Sequence, residues 1–412
     1  MLKRIAIEDA RLGMHVHRLE GDWVSHPFWR SQFTLESAAD LEKLQASGMR
    51  VVWIDLAKGV DVAEPASTHT PTPAPAPALA EPPAVAAAQA PAPRTPAGWH
   101  EEQARARRLL DAVRPTAQRL LDEARLGRLV ERGEADQLIG QVMASVDRHP
   151  GVLVTLVRLK QADAYTYMHS VAVSALMVAL GRQLGLTDAS CAEAGLAGLL
   201  HDIGKARIAP EILNKPGPLT TEEWVEVRDH PRRGHALLSS RGDTPASVLD
   251  ACLHHHERAD GQGYPDGVAG EDIALLTRMT SVCDVYDAIS SDRPYKRAWS
   301  PAESIARMVA WKSHFDQDVL KAFVRCLGIY PVGSLVRLAS QRLAVVVEHH
   351  PGHPAAPIVR AFFSLGSGHG IPPVRIDLRR GRDRIVSHED PGPWDRDRLQ
   401  ALWLDDRSPV SA

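Results

Sequence analysis

No stretch of this chain approaches the roughly 20 consecutive apolar residues needed to cross a bilayer. The longest, Val171 to Leu180, is broken soon after by Arg182 and Gln183. The opening residues, MLKRIAIEDARLG, carry charge where a secretory leader needs its apolar segment. Cysteine is scarce: Cys191, Cys252, Cys283 and Cys326 stand far apart, with no CxxC. That spacing speaks against a disulfide framework and a thiolate zinc finger, and fits a reducing cytoplasm. An excess of one charge sign is also missing. The 48 basic and 51 acidic residues leave a formal charge of −3, so no overall basic field marks a binder of nucleic-acid polymers. What remains is ordinary for a soluble globular protein, with 44% hydrophobic and 24% charged residues. The length suits roughly two to four domains.

Histidine, by contrast, is plentiful. There are 19, and seven of them fall between His169 and His256. Imidazole is the commonest metal ligand near neutral pH, so this clustering is the first functional signal.

The organisation changes along the chain. Residues 1–61 read as a small α/β domain, with strands in KRIAIEDA, HVHRL and RVVWIDL and a helix in FTLESAADLEKLQASG. From 62 to 98 the composition turns to proline and alanine, with ten prolines between Pro65 and Pro96. Proline removes backbone donors and alanine has little to bury, so this stretch reads as an extended linker. Residues 99–164 (connecting helices) and 165–330 show helical periodicity almost throughout, for example in ARRLLDAVRPTAQRLLDEA and SVAVSALMVALGRQLG. Hydroxyl residues near Thr221 and Pro301 mark two further helix starts. From 331 to 412 the pattern turns to β: SLVRL, LAVVVEHH, IVRAFFSL and VRIDL are separated by Gly/Pro-rich turns. The expected architecture is mainly α, a helical bundle with a small N-terminal α/β domain and a small antiparallel β appendage.

Short pieces of the helical region carry metal-ligand chemistry: His169 in YTYMHS, His201 and Asp202 in LLHDIGK, His230 in RDHP, His255 and His256 in HHHERADGQGYP, and Asp284 in SVCDVYDA. Imidazole and carboxylate suit Mn, Fe, Zn or Ni, and the absence of thiolates argues against a structural zinc site. Ligands projecting from separate helices into one bundle core can build a two-metal centre. Adjacent side chains on a helix diverge by about 100°, so His255 and His256 can serve neighbouring ions. Two divalent ions exceed the charge of Asp202 and Asp284, and a hydroxide with an anionic phosphodiester balances the remainder. The chemistry that fits is metal-dependent phosphoester hydrolysis.

In HDIGK, the RDHP histidine, HHERADGQGYP and DVYDAISSDRPYK, taken in that order, the chain resembles the HD-GYP family, cyclic di-GMP phosphodiesterases within the HD superfamily. The likeness spans roughly Tyr165 to Leu327. The N-terminal part is similar to a domain of unknown function often found ahead of HD-GYP domains in bacteria. The resemblance implies His169, His201, Asp202, His230, His255, His256 and Asp284 as ligands of two divalent ions, iron or manganese, with Asp202 bridging. It implies Asp202 and Lys205 as catalytic, with Lys205 near the scissile phosphate. It places Gly263, Tyr264 and Pro265 beside the site and brings Arg293 and Lys296 to the phosphate or guanine. Some relatives hold a third metal through a glutamate one turn before the first ligand. Here that position is Tyr165, preceded by Asp163 and Ala164. Two metals are therefore expected, with linear pGpG the product before any GMP. Implied partners are cyclic di-GMP and a diguanylate cyclase (GGDEF) or another signalling protein.

Plainer readings compete at several positions. A lone histidine on an apolar helix is more often core than ligand, and it is the company of the other six residues that makes His169 a ligand. His235 and His254 have no motif counterpart and read as structural. His349, His350 and His353 read as a turn between prolines. Cys252 and Cys283 read as small buried residues. Lys205 could instead close a helix through its carbonyl dipoles. Two alternatives to the main function stay open: an HD hydrolase of another cyclic dinucleotide, and a catalytically silent cyclic di-GMP sensor or scaffold.

Overall fold

The computed structural model describes residues 2–19, 33–35, 37–45, 51–60, 99–128, 131–157, 165–215, 217–291, 298–350, 353, 355–381, 383–392, 394–404 and 410–411. The chain forms two compact units, Met1–Thr95 and Pro96–Ala412. The Pro/Ala-rich segment, 62–98, lies outside the described residues, as do Arg293 and Lys296.

The first unit is a four-stranded sheet with one helix. Strands β1 (Leu2–Ala6), β2 (His15–Leu19), β3 (Phe33–Thr34) and β4 (Val51–Asp55) run in the order β1-β4-β2-β3, all antiparallel, with α1 at Ala38–Gln45. Alternation buries Val52 and Ile54 on one face of β4, where they join Ile5, Val16, Met14 and Leu35 in a small core. The α/β reading is borne out. Phe33 and Thr34, however, pair with β2 instead of opening the helix.

The second unit is a helical bundle followed by a sheet. Its helices are α2 (Trp99–Arg125), α3 (Arg132–Arg148), α4 (Pro150–Leu156), α5 (Tyr165–Gln183), α6 (Asp188–Leu200), α7 (Pro210–Leu213) and α8 (Thr221–Arg228). They continue with α9 (His230–Ser239), α10 (Ala246–His254), α11 (Leu275–Ser290), α12 (Pro301–Ala310) and α13 (Gln317–Leu327). The apolar run Val171–Leu180 is buried at every position, so α5 is the central helix of the bundle. A helix apolar on all sides must be packed on all sides. Among the described residues no helix is long and apolar enough to cross a membrane. All four cysteines are unpaired, and three of them are buried.

Helix starts follow local chemistry. At α8 the Thr220 hydroxyl accepts from the Glu223 amide while the Glu223 carboxylate accepts from the Thr220 amide, a reciprocal cap. This cap fixes where α8 begins and hence where it delivers Arg228 and the following His230. Ser300 caps α12 in one direction, its hydroxyl accepting from the Glu303 amide.

The C-terminal sheet has strands β5 (Leu335–Leu338), β6 (Arg342–Glu348), β7 (Ile358–Ser364), β8 (His369–Asp377), β9 (Ile385–His388) and β10 (Val410–Ser411). Their order is β10-β8-β7-β6-β5-β9. The four expected strands are present, but β10 joins β8 in parallel, so the sheet is not wholly antiparallel. A helix not expected there, α14 (Arg396–Leu404), packs near β6 and buries Leu399, Leu402 and Trp403. The histidine turn lies just past β6, where the His350 ring pairs with Asp377 at 2.8 Å.

The closest helix approach lies between α5 and α6. A Cβ on Gly198 would stand 2.7 Å from the Ser174 backbone nitrogen, so only glycine lets these two helices meet. Gly198→Ala should destabilise the protein by about 1–3 kcal/mol by forcing them apart. Gly140→Ala, at an exposed position of α3 with nothing near its Cβ, should be neutral or stabilising by up to about 1 kcal/mol. Urea unfolding of the two variants distinguishes packing from propensity; equal midpoints would refute the close-approach argument.

Candidate metal centre

Five helical segments deliver the site. His169 projects from the second turn of α5, and His201 and Asp202 follow the end of α6. His230 opens α9, His255 and His256 follow α10, and Asp284 lies within α11. A tight 3-10 turn, Ile203–Arg207, carries the chain away from His201 and Asp202. A Cβ on Gly204 would overlap the His230 carbonyl oxygen, so this glycine allows the turn to lie against α9. The same requirement recurs at Gly263, whose Cβ would overlap the Glu257 backbone.

The structure brings all seven side chains together in two groups that share Asp202. One is Asp202, His230, His255 and His256; the other is His169, His201, Asp202 and Asp284. Within each group the potential ligand atoms all lie within 4.8 Å of one another. The two oxygens of Asp202 face opposite ways. Oδ1 lies 3.2 Å from His230 Nε2 and 3.7 Å from His255 Nε2, while Oδ2 lies 3.3 Å from His201 Nε2 and 3.5 Å from His169 Nε2. Asp284 closes the second group, 3.0 Å from His169 Nε2.

Four of the rings are oriented from behind. The Nδ1 atoms of His201, His230 and His255 stand 2.9, 2.7 and 3.0 Å from the carbonyls of Gly198, Val227 and Cys252. His169 Nδ1 is 2.6 Å from the Asp287 carboxylate, which is fully buried. A proton on each Nδ1 turns the Nε2 lone pair inward, the arrangement that ligating histidines require. The inward atoms lack partners of their own kind: His201 Nε2 and Asp202 Oδ1 are buried without a hydrogen bond, and His230 and His255 set two Nε2 atoms 3.3 Å apart. Ligand atoms around one ion at roughly 2.1 Å stand about 3 Å from one another, so these spacings fit divalent cations.

Charge divides between the groups. Burial opposes a charged His201, but Asp202 and Asp284 more than offset it and push its pKa up to about 10. Burial would raise both carboxylates, yet the facing histidines, joined at Asp202 by Lys205, hold each well below the usual range. In the other group burial lowers His255 to about 4 and takes His256 well below its ordinary value. His255 and His256 are therefore neutral at pH 7, the ligating form.

Of the other expected site residues, Lys205 is a neighbour of the centre: its Nζ donates to Asp202 Oδ2 at 2.6 Å. Tyr264 stacks on His256 with ring centroids 4.7 Å apart. Gly263 and Pro265 flank it in the same loop. Arg293 and Lys296 fall outside the described residues, and Tyr165 begins α5 one turn before His169. His254, read as structural, bridges Asp250 and Asp266 at 2.8 and 3.0 Å and so ties α10 to the loop after Pro265.

Sequence reasoning missed two supports. Asp287 sits three residues after Asp284, hence on the same helix face, and that spacing could have revealed it. Glu257 is buried beside His256 and accepts from the Asp266 and Gly267 amides at 2.7 and 2.9 Å, anchoring the Tyr264 loop. Asp287→Ala should weaken divalent-metal affinity by about 10–100-fold, since the ring of His169 loses its orienting acceptor. Titration with Mn against a competing chelator reads this directly, and wild-type affinity would remove Asp287 from the site.

Comparison with known proteins gives two family matches in order along the chain. Residues 2–135 match a domain of unknown function, DUF3391, and residues 147–319 match the HD domain. The cyclic di-GMP phosphodiesterase PA4108 of Pseudomonas aeruginosa is 48% identical over 98% of this chain and 96% of its own. The cyclic di-GMP phosphodiesterase response regulator RpfG of Xanthomonas campestris is 41% identical over 35% of this chain and 39% of its own. The 3'3'-cGAMP-specific phosphodiesterase 3 of Vibrio cholerae is 37% identical over 40% of this chain and 36% of its own. Identity near one half across almost the whole of both chains, as with the Pseudomonas protein, leaves no room for a chance likeness between motifs. The chain belongs to the HD-GYP family of the HD superfamily, with a DUF3391 domain ahead of its HD domain.

Proposed function

We propose that the protein is a phosphodiesterase that hydrolyses cyclic di-GMP at a two-metal centre. The observation that carries this reading is the convergence of seven ligating side chains in two groups, with one oxygen of Asp202 turned to each. His169, His201, Asp202 and Asp284 hold one ion, and Asp202, His230, His255 and His256 hold the other, iron or manganese in each case. When bound there, the ions supply Lewis-acid polarisation of a phosphate and activation of water.

The chain's own residues supply the remainder. Lys205, held by Asp202 and partly exposed, keeps a proton at Nζ that the departing sugar oxygen can take. Asp287 and the three backbone carbonyls keep four imidazoles aimed inward throughout the reaction. Arg293 recognises substrate as a planar fork, and Lys296 adds a point charge. Residues 165–330 form the catalytic domain, 1–61 an accessory domain and 331–412 an extension. With Tyr165 where some relatives place a third-metal carboxylate, the first product is linear pGpG. The protein acts in the cytoplasm, removing what a diguanylate cyclase makes.

Supplied with Mn or Fe(II), the purified protein should convert cyclic di-GMP to pGpG, followed by chromatography of the products. Metal loading without turnover of any cyclic dinucleotide would instead favour the sensor alternative. Elemental analysis should give two metals per chain, and a reproducible three would show that another group replaces the missing carboxylate. Asp202→Ala and Asp202→Asn should lose metal and turnover together, because each removes the charge that both groups share. Either variant keeping two metals would refute the bridging role.

A further inference from the structure

The rim of the centre carries a cation that ligation leaves unused. Arg228 ends α8, two residues ahead of His230, and is exposed. The acids near it are engaged elsewhere. Arg233 pairs with Asp229 at 2.8 Å and Glu226 at 3.5 Å, and Arg232 pairs with Asp266. Among the described residues Arg228 has no carboxylate partner; its Cζ stands 4.5 Å from the centroid of the Tyr264 ring. That ring also stacks on His256, with an interplanar angle of 29°. One ring face has no room for both an imidazole and a guanidinium, so Tyr264 is held between them. The order outward from the centre is His256, Tyr264, Arg228.

Two consequences follow from this layering. The plane of Arg228 is pinned by the ring while its edge N–H groups keep their hydrogen-bonding capacity. Arg228 stands outside the side chains that would hold the ions, against Tyr264. A cyclic dinucleotide with its phosphate at the centre would carry its bases outward on their riboses, toward such a rim. Guanine offers two acceptors, N7 and O6, along one edge, which match a guanidinium fork. Adenine sets an N6 donor beside N7, and a fork of donors meets it donor to donor.

We propose that Arg228 is a specificity-determining residue whose guanidinium, layered on Tyr264, reads the N7/O6 edge of a guanine and disfavours adenine there. The inference rests on the cyclic-dinucleotide reading above and adds the element that selects the base.

The test uses the full-length, metal-loaded protein with Arg228→Ala and Arg228→Gln, assayed on cyclic di-GMP and cyclic di-AMP. Metal content should stay at the wild-type value in both variants. Arg228→Ala should lower kcat/KM for cyclic di-GMP by about 5- to 150-fold, the range of one bidentate base contact. The loss should fall on KM, with kcat kept, and the weaker cyclic di-AMP reaction should rise because the donor-to-donor clash is removed. Arg228→Gln should move the preference towards adenine, because an amide pairs a donor and an acceptor with N7 and N6. Equal losses on both substrates would assign Arg228 to a phosphate and overturn the proposal, as would wild-type kinetics or loss of metal. Equilibrium dialysis of the two nucleotides against metal-free protein separates this inference from the proposed function. Guanine-selective binding that depends on Arg228, without turnover on metal addition, defeats the phosphodiesterase reading and leaves the inference standing. Turnover with base-blind binding does the reverse, and a metal-loaded wild-type chain that neither binds nor turns over either nucleotide overturns both.

Discussion

The structure turns on a carboxylate that water cannot reach. Asp202 is 2% exposed, and an isolated ionised group at that depth costs many kcal/mol unless cations face it. Its neighbours are four imidazoles and the Lys205 ammonium, set around both oxygens. No single helix could supply them, because side chains on one helix share a face only at intervals of three or four residues. The ends of α6 and α10, the start of α9 and the second turn of α5 must therefore meet at one point. The rest of the bundle is the packing that holds them there.

That convergence explains where the fold spends its glycines. Helix ends crowded around one buried group leave no space for side chains between backbones. Gly198 lets α5 approach α6, Gly204 lets the 3-10 turn lie against α9, and Gly263 lets the Tyr264 loop fold back over Glu257. The supports behind the ligands have a related origin. Carbonyls near the helix ends have no intrahelical partner, and those of Gly198, Val227 and Cys252 meet histidine Nδ1 atoms three residues later. One feature of helix termini thus serves three different ligands.

The parts of this protein legible in its sequence are those where residue type and local spacing carry the information. The seven side chains of the cluster could be named because histidine and aspartate recur in short, fixed patterns, and α5 could be named because nine apolar residues in a stretch of ten must be buried. Asp287 was harder, since its partner His169 lies 118 residues away and only the fold joins them. Glu257 acts on backbone amides, which leave no mark on the identities of the residues it holds. In the C-terminal region β6 and β7 announce themselves by β-branched runs. Helix α14 is short and follows a proline- and glycine-rich stretch, and β10 contributes two residues whose pairing is decided by β8. Those elements depend on tertiary partners and not on their own periodicity.

The centre and its rim answer different questions. The ligand set determines what bond can be broken, because its charge and donors suit divalent ions and an anionic ester. It says little about which base the substrate bears, since imidazoles and carboxylates turned inward on metal ions do not read a base edge. Relatives sharing the HD domain are named for cyclic di-GMP in one case and for 3'3'-cGAMP in another, which differ in a single base. Discrimination between such molecules must come from groups outside the ligand shell that reach a base edge. Tyr264 couples the two regions: it stacks on the half-buried His256 of the cluster, and its ring also carries the exposed Arg228 cation. A substitution at the outer layer can then alter selectivity while the buried charges remain balanced, whereas one at the inner layer changes both.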